Sequence, residues 1–122
     1  MNISKISLMA SPLKTNFKAQ TNISAPEELL SKEDQAYFEA LGSKIGTDKD
    51  TIEIKISELH DNKFNPNIKM YTAEKKYKIK HANGVSNIDN KMDIPYIKNG
   101  EMVEKNSPFN YIKTAFDRLL DK

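Results

Sequence analysis

Two Asn-Gly dipeptides, Asn83-Gly84 and Asn99-Gly100, constrain this chain more than any other feature. Both residue types tolerate positive φ, as a two-residue type I′ hairpin turn requires. Each dipeptide lies between stretches that can pair across it, the second between Ile94-Pro95-Tyr96-Ile97-Lys98 and Glu101-Met102-Val103-Glu104, so each predicts a pair of antiparallel strands. A turn at Asn83-Gly84 sets Ile79 opposite Ile88, His81 opposite Ser86, Lys78 opposite Asp89 and Ala82 opposite Val85. An apolar pair on one face and a charge pair on the other suit a hairpin, at about 0.2–1 kcal/mol per pair. A turn at Asn99-Gly100 sets Ile97 opposite Met102 and Tyr96 opposite Val103. Pro95 has no N–H to give a ladder, so that strand begins at Pro95 or lies at an edge.

Upstream, Thr51-Ile52-Glu53-Ile54-Lys55-Ile56-Ser57 alternates strictly, the period of a strand with one buried face. Residues 60–67 carry Asp61-Asn62 and Asn65-Pro66-Asn67 and read as a loop. A second extended region covers 68–82. Its apolar phase changes between Ile68, Met70 and Tyr77, Ile79, which predicts a bulge near Thr72–Glu74. A helix is expected over 27–43, broken near Ser31, with Ser24-Ala25-Pro26-Glu27 or Ser31-Lys32-Glu33-Asp34 as its start and Gly42 and Gly46 as stops. The chain closes with a second helix: Ser107 caps it, Pro108 opens it, and Phe109, Ile112, Ala115, Phe116, Leu119 and Leu120 form its apolar stripe. The expected fold class is therefore α+β: an N-terminal helix, a mostly antiparallel meander of hairpins, and a C-terminal helix packed on the sheet.

The chain has 122 residues, room for one domain with a real core. The domain is assigned to 26–122. Residues 1–25, with Pro12 and no acid, read as a disordered or targeting tail. Their best apolar stretch, Ile6 to Ala10, is interrupted by Ser7 and is shorter than a secretory signal needs. No apolar run reaches the roughly 20 residues of a membrane span. Without a signal the compartment defaults to the cytoplasm, with secretion or translocation through residues 1–25 as the alternative.

Charge is uneven although the total is +2. Residues 27–62 hold ten acids against four lysines, and 63–82 hold six lysines against one acid. Lys, Asn and Ile make up 43 of the 122 residues, a bias that an AT-rich coding sequence produces, which lowers the weight of lysine richness as a sign of a polyanion partner.

Catalytic patterns are scarce. The absence of Cys excludes disulfide scaffolds, thiolate metal sites and thiol nucleophiles. His60 and His81, the only histidines, stand outside any His-Glu-x-x-His arrangement and read as surface residues. A calcium loop opening at Asp48 would need Gly where Glu53 stands and Glu where Leu59 stands. Four scattered glycines make neither a phosphate-cradling loop nor a nucleophile elbow. No catalytic residue, metal ligand or cofactor is assigned. Pairs such as Glu53 with Glu58, or Asp89 with Asp93, are acid–base couples only if the fold joins them.

The one candidate binding surface is the strand Lys75-Lys76-Tyr77-Lys78-Ile79-Lys80, in which Lys76, Lys78 and Lys80 share a face opposite Tyr77 and Ile79. No aromatic interleaves on that face, which disfavours nucleic acid. A lysine-bearing strand also guards an edge against aggregation. The expected function is a non-catalytic interaction domain with a protein partner. The alternatives are a small enzyme using carboxylates with His81, and a secreted or translocated bacterial factor.

Overall fold

The alternating isoleucines form a central strand around which the other elements are placed. The computed structural model describes residues 19–81 and 84–120. In chain order the elements are β1 (Gln20–Ser24), α1 (Lys32–Gly42), β2 (Thr51–Ile56), β3 (His60–Asp61), β4 (Ile68–His81), β5 (Gly84–Lys98), β6 (Glu101–Met102), a 3-10 turn (Glu104–Asn106) and α2 (Pro108–Leu120). The sheet order is β1-β2-β4-β5-β6, with short β3 also paired to β4. The fold is α+β: two helices and a six-stranded mixed sheet.

Period-2 alternation explains the core. Ile52, Ile54 and Ile56 turn to one face of β2, and their neighbours across the ladder on β4 are Tyr77, Lys75 and Ala73. Tyr71 and Ile79 continue that face along β4, and Ile23 on β1 and Ile94 on β5 widen it. The helices supply the covering layer. Phe38 of α1 is fully buried and packs against Phe109 and Phe116 of α2 in tilted and edge-to-face arrangements, its ring centroid 5.0 and 5.4 Å from theirs. Each large side chain so buried stabilises the fold by about 1.5–3 kcal/mol.

Local chemistry sets the helix ends. Ser31 is the cap of α1, its hydroxyl accepting from the Asp34 N–H at 3.1 Å, with Glu33 and Asp34 in the positive first turn. Ser107 caps α2 in the same way, accepting from the Asn110 N–H at 3.2 Å. The stripe of α2 buries Ile112, Ala115, Phe116 and Leu119, leaves Phe109 half-buried, and exposes Leu120.

Several expectations need correction. The first element is a strand, not a helix: Gln20–Ser24 lies in the sheet, so the tail expected over 1–25 stops short of β1, and its residues 1–18 fall outside the described ones. Ser24 ends that strand, and the helix starts only after Ser31, because the intervening chain makes a turn in which the Pro26 carbonyl accepts from the Leu29 and Leu30 N–H groups. β1 runs parallel to β2, which makes the sheet mixed.

The β4–β5 register also differs from that expected. His81 pairs with Gly84, so Ile79 faces Ser86, Tyr77 faces Ile88, and Lys76, not Lys78, faces Asp89. Gly84 is the first residue of β5 instead of the second turn residue, and the turn expected at Asn83-Gly84 falls in part outside the described residues. The slip is two residues, so every side chain keeps its face. The irregularity expected near Thr72–Glu74 sits at Lys69/Met70 instead, where Met70 pairs with Pro95 and Lys69 with Ile97. Tyr96 is the extra residue, inserted beside the proline that weakens the ladder. The second hairpin matches its expectation: Asn99 and Gly100 have φ of 53° and 83°, and Ile97 pairs with Met102.

Candidate functional site

The three lysines singled out in sequence lie as their parity requires. Lys76, Lys78 and Lys80 are exposed on the uncovered sheet face while Tyr77 and Ile79 are buried. The ladder adds what sequence could not show. Lys76 sits between Glu53 on β2 and Asp89 on β5, and its Nζ is 3.7 Å from Glu74. Glu74 in turn sits between Lys55 and Lys91. Charges alternate across these rows, so much of the lysine field is neutralised within the sheet. Lys78, between Thr51 and Asn87, and Lys80, opposite Val85, have no acid directly across the ladder.

The other sequence candidates are used locally. The exposed His60 ring contacts the Thr72 hydroxyl at 3.1 Å, and that hydroxyl donates to Asp93 at 2.7 Å. Asp89 and Asp93 are four residues apart on one strand, about 13 Å at the usual rise, too far to share a proton. Asp50 is buried and its carboxylate accepts from the Thr47 N–H at 2.7 Å, closing the turn into β2. The side chain of His81 lies outside the described residues. A cleft of about 790 Å³ beside β1 does hold two carboxylates, Glu39 and Glu53. Glu39, however, accepts from the Ile23 N–H at 3.0 Å, a structural role at the sheet edge.

The most unusual group is a lysine that the sequence hides. The alternation that buries Tyr77 and Ile79 also turns Lys75 inward, toward α2. Lys75 is only 8% exposed. Among the described residues no ion pair involves it. Its ammonium lies 5.5 Å from the ring centre of Tyr111, a cation–π contact. Burial, aided by the Arg118 charge, pushes its pKa below the ordinary lysine value.

Lys75 opens on a pocket of about 410 Å³ between α2 and the β4–β5 face. Tyr71, Ile94 and Ala115 give apolar walls, and Met92 stands at the rim. The charged lining is Lys75, Lys105 and Arg118, with no carboxylate. Tyr71 is held in place by donating its hydroxyl to the Asn106 carbonyl, and Asn106 in turn donates its amide to the Pro95 carbonyl at 2.8 Å. The Tyr111 hydroxyl is buried and, among the described residues, has no hydrogen-bond partner. Burial pushes the Tyr111 and Tyr71 phenols above the usual range, with a smaller contribution from neighbouring tyrosines.

The pocket therefore combines an apolar wall, an unpaired buried cation and two further cations. That is the environment in which an anion bound beside Lys75 would be held strongly, because it would supply the missing counter-charge at low local dielectric. Comparison with protein-family models, with curated proteins and with solved structures finds no match for this chain.

Proposed function

We propose that this domain binds a small organic anion with an apolar or aromatic body, seated between α2 and the β4–β5 face. The observation that carries this reading is Lys75: a lysine buried, among the described residues, without a carboxylate partner, in a pocket whose other charged lining residues are also cations. Burying a charge without a partner is costly, and a fold optimised for stability alone would place an apolar residue there. The pocket volume falls in the range of small-molecule sites.

The test is a titration of the labelled domain with benzoate, phenyl phosphate and neutral benzyl alcohol, followed by amide chemical shifts. The two anions should move Tyr71, Lys75 and Tyr111, and added salt should weaken them. Benzyl alcohol should not match them. Anions that leave those residues unmoved at millimolar concentration defeat the proposal.

A protein partner, the function expected from sequence, has one separate observation in its favour. Phe64 is 94% exposed on a loop pinned by its own asparagines: the Asn62 side chain accepts from the Phe64 and Asn65 N–H groups at 2.8 and 2.9 Å. A pre-ordered exposed aromatic is a suitable anchor for a partner's pocket. Lys78 and Lys80 supply the exposed charge this second reading would use.

A further inference from the structure

We propose that Lys75 is also a covalent site: its amine condenses with the carbonyl of a small oxo acid held in the pocket while Arg118 or Lys105 takes the carboxylate. The inference rests on the ligand-pocket reading and adds the ligand's chemical class, an aldehyde or ketone that carries an acid group.

The geometry separates this lysine from its neighbours on the strand. Lys75 lies at the wall of a half-open, partly apolar pocket, with a tyrosine ring against its ammonium and, among the described residues, no carboxylate to hold its proton. Lys76, Lys78 and Lys80, on the same strand, point to solvent. An amine attacks a carbonyl only when unprotonated, and a desolvated lysine beside another cation is the usual way a protein provides one near neutral pH. Lys75 has both influences, burial first and Arg118 second. An acid group on the ligand accounts for the exposed cations at the rim, Lys105 and Arg118.

The step balances without an oxidant or reductant. The nitrogen lone pair forms a C–N bond to the carbonyl carbon, giving a carbinolamine. The carbonyl oxygen then leaves as water with both amine hydrogens, and a neutral imine remains. In an assay, a proton from solvent on the nitrogen and hydride to the carbon would reduce that imine to a stable secondary amine, which makes the site readable.

The experiment uses the full chain, 4-carboxybenzaldehyde as the probe and sodium cyanoborohydride, with adducts located by peptide mass mapping. In parallel, 4-(hydroxymethyl)benzoate, which has the acid but no carbonyl, is titrated and followed by amide shifts. The expected result is labelling at Lys75 about tenfold or more above the mean of the exposed lysines, a small part of what holding an aldehyde in place can supply. Arg118→Met should lower labelling at Lys75 and leave Lys78 and Lys80 unchanged. Labelling spread over the exposed lysines with none at Lys75 overturns the covalent proposal. If 4-(hydroxymethyl)benzoate still shifts Tyr71 and Tyr111 in that case, the ligand pocket stands and only the imine falls. If it does not, both readings fall. The wild-type adduct map decides the matter even if a variant fails to fold.

Discussion

Replacing Lys75 with methionine should make the protein more stable, and the gain should depend on pH. Methionine matches the length of the lysine stem and can keep its contact with the Tyr111 ring. What is lost is the charge, which in the wild type is buried with no ion-pair partner among the described residues. Unpaired burial of an ion costs several kcal/mol even after relaxation. The cation–π contact with Tyr111 returns about 0.5–2 kcal/mol of that, and the opening of the pocket to water lowers the cost further. The balance is a gain of about 1–2 kcal/mol for the variant. For a domain near 100 residues each kcal/mol moves Tm by about 4–8 °C.

The sign of the pH dependence follows from the direction of the shift. The Lys75 pKa is lowered in the folded state from 10.5. Below the folded value both states carry the proton, and the wild type bears the full penalty. Between the two values the unfolded chain binds more protons, so wild-type stability rises with pH. Above 10.5 both states are neutral at this residue and the penalty is gone. The advantage of the variant should therefore be greatest below the folded value and shrink as pH climbs toward 10.5, as read by urea unfolding at a series of pH values. A variant less stable than wild type at pH 7, or an advantage that does not change with pH, would show that Lys75 is not an unpaired buried charge.

Three other outcomes can be measured on the same protein. Tyr71, Tyr77, Tyr96 and Tyr111 all have pKa values raised by burial, so their contribution is complete below pH 10 and is lost as pH rises above it. Unfolding in alkali should accordingly coincide with tyrosinate absorbance, and tyrosines that ionise freely while the fold persists would contradict their burial. Gly42→Ala drives a Cβ into the Thr21 side chain and should cost about 1–3 kcal/mol, part of it recovered in the double variant with Thr21→Ala, which removes the Oγ1 and Cγ2 clashes and keeps the Cβ at 2.9 Å; equal costs in the single and double variants would refute the contact. Tyr111→Phe removes a buried hydroxyl that has no partner among the described residues, so its stability should equal or exceed wild type, and a loss above about 1 kcal/mol would mean the hydroxyl is bonded after all.

Much of the fold was legible because its signals are local. The type I′ turn at Asn99-Gly100, the Ser107-Pro108 helix start and the isoleucine alternation each need only a few neighbouring residues. What was missed depends on partners far along the chain. β1 has five residues, of which only Thr21 and Ile23 turn toward the core, too short a pattern to stand out from a polar tail until β2 pairs with it. The β4–β5 register is set by which residues close the turn, and Asn83-Gly84 suits more than one closure. The pocket was half legible. The parity that exposes Lys76, Lys78 and Lys80 also buries Lys75, yet a run of like residues conceals the one that differs. The absence of an acid from the pocket follows from how α2 crosses the sheet, and no local spacing encodes that.

The parallel pairing of β1 with β2 sets an order of assembly. β4 and β5 follow one another in the chain, with His81 paired to Gly84, and hairpins close in about 1–10 μs. β1 meets its partner only across about thirty residues that include the whole of α1, so its closure carries a larger entropic cost and must await a surface on which to dock. In refolding followed by pulsed deuterium exchange, the β1 amides should be the last of the sheet to gain protection. In the native protein they should be the first to lose it, making this strand the seam along which the domain opens.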